Sequence, residues 1–204
     1  MEESVFITGT TVTLEGQYQA GEGPGGVVIS HPHPLYGGEM DNNVVWTAAR
    51  AFQSRGWATL RFNFRGVGRS TGEYGEGLAE AEDVDQALAW LTERTSAPHV
   101  LVGYSFGAAV TARALLAGLA PDAAILISPP IAFMDLTFLP RVPGVRLIVA
   151  GDRDAFCPLN LLQGVMANWQ HGAPPALKIV PQTDHFYGGS EDKLMDILRE
   201  FPLP

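Results

Sequence analysis

Short apolar runs alternate with helix-like stretches along most of this chain, and this alternation limits its possible folds more than any other feature. The apolar runs are GVVIS, ATLRFNF, HVLVGYS, AAILISPP, VRLIVAGD and ALKIVP. The stretches with helical character are residues 41–56, 78–94, 106–118, 159–170 and 191–200. In the first of them Asp41 can cap the helix, and Val45, Ala48, Ala49 and Phe52 form one apolar face. Alternating strands and helices form a mostly parallel sheet with helices on both faces. We therefore predict an α/β fold with a doubly wound, mostly parallel sheet.

Residues 5–18 (VFITGTTVTLEGQY) precede this region and have the alternating pattern of an antiparallel hairpin at a sheet edge. With them, the sheet is expected to have about eight strands. The chain shows no internal repeat, low-complexity tract or linker, and its 204 residues match one ordinary domain. The prediction is a single domain that spans residues 1–204.

Charge and cysteine content exclude several classes of protein. The net charge of −9 argues against a nucleic-acid partner and against anionic lipid. No apolar stretch approaches the roughly 18 residues of a membrane span, and the first residues lack the pattern of a signal peptide. The single cysteine, Cys157, excludes an internal disulfide and suits a reducing compartment. We expect a cytoplasmic protein whose oligomeric state the sequence does not decide.

The pentapeptide GYSFG, residues 103–107, is the strongest candidate for a reactive site. It follows the predicted strand HVLVGY and opens a predicted helix, which is the context of a nucleophile elbow. The elbow strains the serine backbone, and the flanking glycines avoid collisions with the neighbouring strand and helix. The alternative is a chance match in a chain with 23 glycines. The surrounding elements favour Ser105 as a nucleophile.

A serine nucleophile needs a base within hydrogen-bond reach. Where this elbow occurs, the chain order is nucleophile, acid, histidine. His171 lies between a predicted helix and a strand, whereas His185 lies in TDHFYGG, directly after the strand ALKIVP. The second address selects His185 as the base.

The acid is expected in the loop after the strand VRLIVAG. Asp154 lies further past the strand end than Asp152, so its side chain has more freedom to reach the histidine. Asp152 is expected to bond backbone groups of the turn. Asp184 is adjacent to the histidine, and neighbours in an extended loop usually point apart. We prefer Asp154; the alternative for each aspartate is a solvated loop residue.

Acyl transfer also requires two N–H donors for the developing oxyanion. Phe106, the residue after the nucleophile, supplies one through its backbone. The other is expected in the loop HPHPLYGGEMDN, whose prolines have no N–H. His33 is preferred by its distance from the strand end, with Leu35 close behind and Tyr36 the remaining donor.

The same loop allows a different interpretation, in which His31 and His33 bind a metal. No carboxylate follows at a spacing suited to zinc, so this interpretation is weak. We expect no metal, and we expect His31 to pack against the loop backbone.

With these residues placed, the chain resembles the α/β-hydrolase superfamily over nearly its whole length. It looks most like the small dienelactone-hydrolase-like serine hydrolases that carry an HPHP…GG loop, the block RFNFRGVGRS and a GYSFG elbow. The resemblance implies an α/β-hydrolase domain with Ser105, Asp154 and His185 as its triad, and an oxyanion hole formed by Phe106 and residues 33–35. Dienelactone hydrolase itself has a cysteine nucleophile, where this chain has a serine.

The block RFNFRGVGRS departs from the related pattern Asp-x-Arg-Gly-x-Gly-x-Ser, because Asn63 stands where aspartate is usual. Its Arg65 and Arg69 could bind an anionic substrate. We prefer a structural salt bridge to Glu73 or Glu80.

Only the segment PPIAFMDLTFLPRVPG separates two of the late strands, and it is too short for a helical lid. An open site favours short or medium acyl groups. Tyr36 and Tyr187 are predicted at the edge of the pocket. The apolar residues of the short segment either line the pocket or pack as core: Phe133, Met134, Leu136, Phe138 and Leu139.

The combined prediction is a serine hydrolase that cleaves small or medium carboxylic esters through an acyl-enzyme, without a metal or organic cofactor. An acyl thioesterase is the nearest alternative, because thioesters pass through the same intermediate. A peptidase is less expected, since no insertion is available to grip a peptide chain. The rival from another class is a non-catalytic binding module that keeps the fold.

Overall fold

An eight-stranded sheet organises residues 1–202, the part of the chain that this computed structural model describes. The strands are β1 (Glu3–Thr8), β2 (Thr13–Gln19), β3 (Gly26–Ser30), β4 (Ala58–Phe62), β5 (His99–Tyr104), β6 (Ala123–Ile127), β7 (Val145–Gly151) and β8 (Ala176–Val180). Their order across the sheet is β1-β2-β4-β3-β5-β6-β7-β8. β2 runs antiparallel to both of its neighbours, and all other pairs are parallel. The predicted doubly wound α/β sheet and its N-terminal edge hairpin are confirmed.

In the described part of the chain, five helices cover the sheet: α1 (Asn43–Gln53), α2 (Glu80–Thr92), α3 (Phe106–Leu116), α4 (Leu159–Ala167) and α5 (Glu191–Glu200). Helices α1 and α5 pack together over one apolar cluster, whereas α2, α3 and α4 contribute to a second cluster on the other face. Both faces of the central strands are therefore buried, which explains why β3 and β5 read as nearly continuous apolar runs. Within residues 1–202, no helix is both long and apolar enough to cross a membrane.

The start of α1 differs from the sequence prediction in one residue. Residues 41–56 were expected to begin with Asp41 as the cap, but the side chain of Asn42 accepts the Val44 N–H at 3.0 Å. The carboxylate of Asp41 instead forms an ion pair with the buried Arg61. An asparagine and an aspartate cap a helix about equally well, so the tertiary ion pair decides which of them does so.

The loop after β4 explains the asparagine of RFNFRGVGRS. The Asn63 side chain accepts the Met40 N–H at 2.8 Å and donates to the carboxylate of Glu15 at 3.0 Å. An ionised aspartate has no hydrogen to donate and would repel Glu15, so the amide suits this position.

The two arginines of the same loop form ion pairs, but not with the acids that we expected. The guanidinium of Arg65 binds the carboxylate of Asp83 in α2, with contacts down to 2.7 Å. The backbone N–H of Arg65 also donates to that carboxylate. The carboxylate of Glu80 accepts the N–H groups of Gly75 and Gly77. Arg69 lies 3.9 Å from Glu15. The predicted pairing with Glu73 or Glu80 is therefore wrong, although the structural role of Arg65 is correct.

The topology places the loops that matter at one edge of the sheet. After β3 the chain moves to β4 on one side, and it then returns to β5 on the other side of β3. The carboxyl ends of β3 and β5 therefore flank the point where the strand order reverses. In open α/β sheets this crevice is where ligands bind.

Candidate active site

Ser105 lies in the sharp turn between β5 and α3, and its φ of 54° is in the left-handed region. Non-glycine residues in this region store roughly 1–3 kcal/mol of strain and cluster at functional sites. The flanking glycines are required by close contacts. A Cβ at Gly103 would meet the backbone of Gly107, and a Cβ at Gly107 would meet the carbonyl of Ser30. The turn therefore has the geometry of the predicted elbow.

The structure brings together the three side chains that the sequence proposed as a triad. The Oγ of Ser105 lies 2.8 Å from Nε2 of His185, and Nδ1 of the same ring lies 2.9 Å from both carboxylate oxygens of Asp154. All three residues are buried. Of the other candidates, His171 is exposed on the loop before β8.

Asp154 is held as a carboxylate. Its Oδ1 accepts the N–H groups of Phe156 at 2.8 Å and Cys157 at 2.9 Å. Burial favours the neutral acid, but His185, the Ser128 hydroxyl and the Cys157 N–H outweigh it, and together they hold the pKa of Asp154 below its usual value. An ionised Asp154 fixes the hydrogen of His185 on Nδ1, which leaves the lone pair of Nε2 facing Ser105.

Three further contacts hold the loop of His185. The hydroxyl of Tyr104 donates to the His185 carbonyl at 2.8 Å. The ring of Phe156 stacks on the imidazole with 4.5 Å between ring centroids. Asp152 accepts the Thr183 N–H at 3.2 Å, so it bonds backbone as expected, although in the neighbouring loop. Asp184 is exposed and accepts the N–H of the residue two positions later.

The backbone N–H groups of Phe106 and His33, two of the residues that line the cleft beside Ser105, have no hydrogen-bond partner among residues 1–202. The other candidate donors of the HPHP loop are engaged. The Leu35 N–H donates to Nδ1 of His33 at 3.3 Å, and the Tyr36 N–H donates to the His33 carbonyl at 3.1 Å. The geometry thus favours His33, which the sequence analysis preferred over Leu35 and Tyr36.

His33 itself sits among aromatic rings. Because its Nδ1 accepts the Leu35 N–H, Nε2 carries the hydrogen and donates to the Tyr74 hydroxyl at 3.2 Å. The ring centroids of Tyr36 and Phe106 each lie 4.8 Å from that of His33. Burial lowers the pKa of His33, which favours the neutral ring that this arrangement needs.

A cleft of about 640 Å³ opens over Ser105 and His185. Its walls are mostly aromatic and apolar, and within residues 1–202 no Asp, Glu, Lys or Arg side chain lines it. The principal wall residues are Tyr36, Pro130, Phe133, Met134, Phe156 and Phe186.

The structure places the residues predicted to bind substrate in two different environments. Tyr36, Phe133 and Met134 line the cleft. Tyr187 does not: it is fully buried, its hydroxyl lies 2.9 Å from Ser128 Oγ, and its ring packs edge-on against that of Tyr104. The remaining apolar residues of the short segment belong to the core or pack against it: Leu136, Phe138 and Leu139.

The sequence analysis missed the aromatic wall residues Phe156 and Phe186. Each lies within two positions of a triad candidate, in a loop at the carboxyl edge of the sheet. Proximity in sequence to Asp154 and His185 was the available signal. Phe156 stacks on the imidazole at 4.5 Å, Phe186 lies edge-on to the imidazole at 5.7 Å, and the two phenyl rings meet edge-on at 6.1 Å.

Comparisons with known proteins agree with this architecture. The model of the family described as serine aminopeptidase, S33, matches residues 35–170. An α/β serine hydrolase homologue from Coxiella burnetii is 32% identical, with a TM-score of 0.88 over 97% of this chain and 95% of that chain. XC6422 from Xanthomonas campestris, an α/β serine hydrolase without a lid, is 30% identical, with a TM-score of 0.88 over 97% and 92%. ATU1826 from Agrobacterium tumefaciens, a protein of unknown function, is 34% identical, with a TM-score of 0.88 over 97% and 94%.

Proposed function

Because the chain belongs to the family described as serine aminopeptidase, S33, within the α/β-hydrolase superfamily, we propose that it is a serine hydrolase that cleaves small or medium carboxylic esters. One observation carries the proposal. Ser105 Oγ is within 2.8 Å of an imidazole nitrogen whose opposite nitrogen is 2.9 Å from the Asp154 carboxylate. This arrangement supplies a nucleophile, a base and a group that orients the base.

The reaction then proceeds in two halves. Ser105 Oγ attacks the ester carbonyl carbon while its proton passes to Nε2 of His185. The oxyanion accepts hydrogen bonds from the backbone N–H groups of Phe106 and His33. The carbonyl re-forms as the bond to the alkoxy oxygen breaks, and His185 gives the proton to the departing alcohol. Asp154 stays ionised throughout and holds the imidazole in orientation.

Water completes the cycle. It enters the place of the alcohol, gives a proton to Nε2 of His185 and attacks the acyl carbon. The second oxyanion collapses, the bond to Ser105 Oγ breaks, and the serine recovers its proton from the imidazole. The products are one carboxylic acid and one alcohol, and no metal or organic cofactor takes part in any step.

The charge pattern of the cleft supports an ester over an aminopeptidase substrate. A peptide N-terminus is protonated and needs an acceptor, usually a carboxylate, to bind it. Among the described residues no Asp or Glu lines the cleft, and Asp154 is occupied by His185. The family name therefore does not carry over to the substrate that we propose.

The same pattern disfavours large thiol carriers with phosphate groups. Phosphates are bound by Lys, Arg or helix N-termini. In the described part of the chain no Lys or Arg lines the cleft, and the N-terminus of α3 there serves the proposed oxyanion. Small thioesters use the same acyl-enzyme chemistry and form the alternative activity. Within residues 1–202, the segment between β6 and β7 contains no helix beyond the short 3-10 turn Leu139–Arg141. The cleft therefore opens directly to solvent and suits medium rather than long acyl groups.

Labelling with a fluorophosphonate, followed by intact-mass measurement, tests the proposal. We expect a single adduct on the native chain, none on Ser105→Ala and a much slower one on His185→Ala. The variant His171→Ala, which removes an exposed histidine, is the matched control and should react like the native chain. A folded native chain without an adduct would contradict the proposal and favour the non-catalytic binding module.

A substrate panel then separates the activities. We expect p-nitrophenyl esters of short and medium acids to be cleaved faster than acyl-CoA thioesters and amino-acid anilides, with no loss of activity in a metal chelator. Faster thioester cleavage would assign the protein as a thioesterase. The cytoplasmic location stays a prediction, which fractionation of the producing cells would test.

A further inference from the structure

His31, the residue after β3, makes one hydrogen bond within its own loop and a second to the loop after β4. Its side chain is completely buried. Nε2 accepts the backbone N–H of Phe64 at 3.0 Å, and Nδ1 lies 2.6 Å from the carbonyl oxygen of Pro32. The ring also packs edge-on against Phe64, with 4.7 Å between centroids. The esterase chemistry described above makes no use of this histidine.

The two bonds determine where the ring carries its hydrogen. A backbone N–H can only donate, so the Nε2 that receives the Phe64 N–H must present a lone pair. The hydrogen of the neutral ring is therefore on Nδ1, which donates to the Pro32 carbonyl. Burial, aided by the nearby His33, lowers the pKa of His31 to about 4, so this neutral form persists at physiological pH although the Pro32 bond favours the charged ring.

The Pro32 carbonyl belongs to the same peptide unit as the His33 N–H. This peptide is trans, so its C=O and N–H point in opposite directions. The carbonyl points toward the buried ring of His31, and the N–H therefore points to the opposite side, where Pro32 and His33 border the cleft beside Ser105.

We propose that His31 is a positioning residue that fixes the Pro32–His33 peptide so that the His33 N–H is aimed at the oxyanion. This inference rests on the proposed esterase function. An oxyanion donor stabilises the transition state only if it is held in place before the reaction. Without the bond from His31, rotation of this peptide would turn the N–H away from the acyl carbonyl.

Gly38 supports the same peptide from another side. A Cβ at this position would collide with the carbonyl of Pro32 and approach that of His33, so the glycine leaves the space that the peptide occupies. The Gly38 N–H also donates to the His33 carbonyl at 3.0 Å. The His33 carbonyl belongs to the next peptide unit, His33–Pro34, so each of the two peptide units that meet at His33 is held by one hydrogen bond, which agrees with a requirement for fixed orientation.

Two substitutions of His31 separate its two bonds. In His31→Asn the side-chain amide lies where Nδ1 was and can still donate to Pro32, whereas the Phe64 bond is lost. In His31→Gln the side-chain amide reaches the position of Nε2 and can accept a hydrogen bond from the Phe64 N–H, whereas the bond to the Pro32 carbonyl is lost.

We expect kcat on p-nitrophenyl butyrate to fall roughly 10- to 100-fold in His31→Gln and to stay within about threefold of the native value in His31→Asn. KM should change little in either variant, and His99→Gln, on the amino end of β5, is the control for a histidine-to-glutamine change.

Affinity for a trifluoromethyl ketone gives a second readout, because its adduct with a serine is an oxyanion. In His31→Gln this affinity should fall in parallel with kcat/KM. Equal kcat in the Gln and Asn variants, with both folded, would overturn the inference, since a purely structural histidine would make the two alike. Absence of activity in the native chain would instead be a failure of the proposed function.

If neither variant folds, the native protein still gives a decisive measurement. In nuclear magnetic resonance spectra of the isotope-labelled chain, ketone binding should shift the amide signals of both Phe106 and His33 strongly downfield, and the His31 ring should carry its hydrogen on Nδ1. A shift confined to Phe106, or a ring hydrogen on Nε2, would overturn the inference.

Discussion

Tyr104 donates its hydroxyl to the backbone carbonyl of His185 at 2.8 Å, while the next residue, Ser105, meets the ring of the same histidine. Burial raises the pKa of Tyr104, so its hydroxyl remains a donor at any ordinary pH. The end of β5 therefore holds the proposed nucleophile and also anchors the loop of the proposed base. Movement of either residue is restrained by its neighbour.

The variant Tyr104→Phe tests this anchoring. The ring is kept, but the buried His185 carbonyl loses its donor, which typically costs about 1–3 kcal/mol. We expect a lower free energy of unfolding and a roughly tenfold lower kcat with little change in KM, because His185 loses its fixed orientation rather than its contact with substrate. Tyr18→Phe removes a hydroxyl from another tyrosine of the sheet, one that packs against Trp90, and serves as control. An unchanged kcat in Tyr104→Phe would show that the bond does not orient the histidine.

The variant Asp154→Asn tests the tautomer of His185. The amide oxygen is expected to keep the N–H groups of Phe156 and Cys157, so the amide nitrogen faces the imidazole. Nδ1 then has to accept a hydrogen bond, which moves the ring hydrogen to the nitrogen beside Ser105. By analogy with other serine triads, kcat should fall roughly 10³- to 10⁴-fold.

The matched control is Asp152→Asn, whose amide oxygen can still accept the Thr183 N–H. Its kcat should stay within about threefold of the native value. If Asp154→Asn were no more affected than Asp152→Asn, the assignment of the acid would be wrong. Stopped-flow measurement of ester cleavage and of the rate of fluorophosphonate labelling provides both comparisons.

The sequence was sufficient to place Ser105, Asp154 and His185, because a parallel sheet brings the carboxyl ends of its strands to one edge. The chain order and the distance of each residue from its strand end then select the histidine that contacts the serine and the aspartate that contacts the histidine. The helical spacing of apolar residues likewise predicted the core face of α1, where Val45, Ala48 and Phe52 are buried.

The failures concern choices that local sequence leaves open. Tyr187 and Phe186 are adjacent aromatic residues of one loop, and only the loop conformation turns the first into the core and the second toward the cleft. Arg65 had several acids within reach, and the rotation of α2 selects Asp83. For Leu136 and Phe133 the sequence left wall and core open; Leu136 packs into the core, whereas Phe133 lines the cleft. Tertiary packing decides each of these cases.

That division within the short segment gives a prediction about substrate binding. Phe133 is exposed, stacks on Phe156 at 4.5 Å and lines the cleft. In Phe133→Ala we expect KM for medium-chain p-nitrophenyl esters to rise roughly fivefold, equivalent to about 1 kcal/mol of lost apolar contact, with unchanged stability. In Leu136→Ala the buried side chain leaves a cavity, so the free energy of unfolding should fall by about 2–5 kcal/mol while KM of the folded enzyme stays constant. The reverse pattern would mean that the wall and core assignments are exchanged.

Acid lability should depend on His31. The ordinary pKa of histidine is 6.5 and that of folded His31 is about 4, so the unfolded chain takes up this proton first as the pH falls. The native state therefore loses stability between about pH 6.5 and pH 4, on the order of 3 kcal/mol from this group, and His31 contributes nothing to the slope above that window. Burial also lowers the pKa of His33 and adds a slope of the same sign. The lowered pKa of Asp154 affects stability only below the ordinary aspartate pKa of 3.8, so the stabilisation from Asp154 is lost only at lower pH.

Urea unfolding of the native chain and of His31→Asn, measured between pH 6.5 and pH 4, isolates the contribution of His31, because the variant lacks only that titration. We expect the stability difference between the two proteins to shrink as the pH falls, since only the native chain carries the cost of keeping His31 neutral; parallel curves would show that His31 is protonated in the folded state as easily as in the unfolded chain.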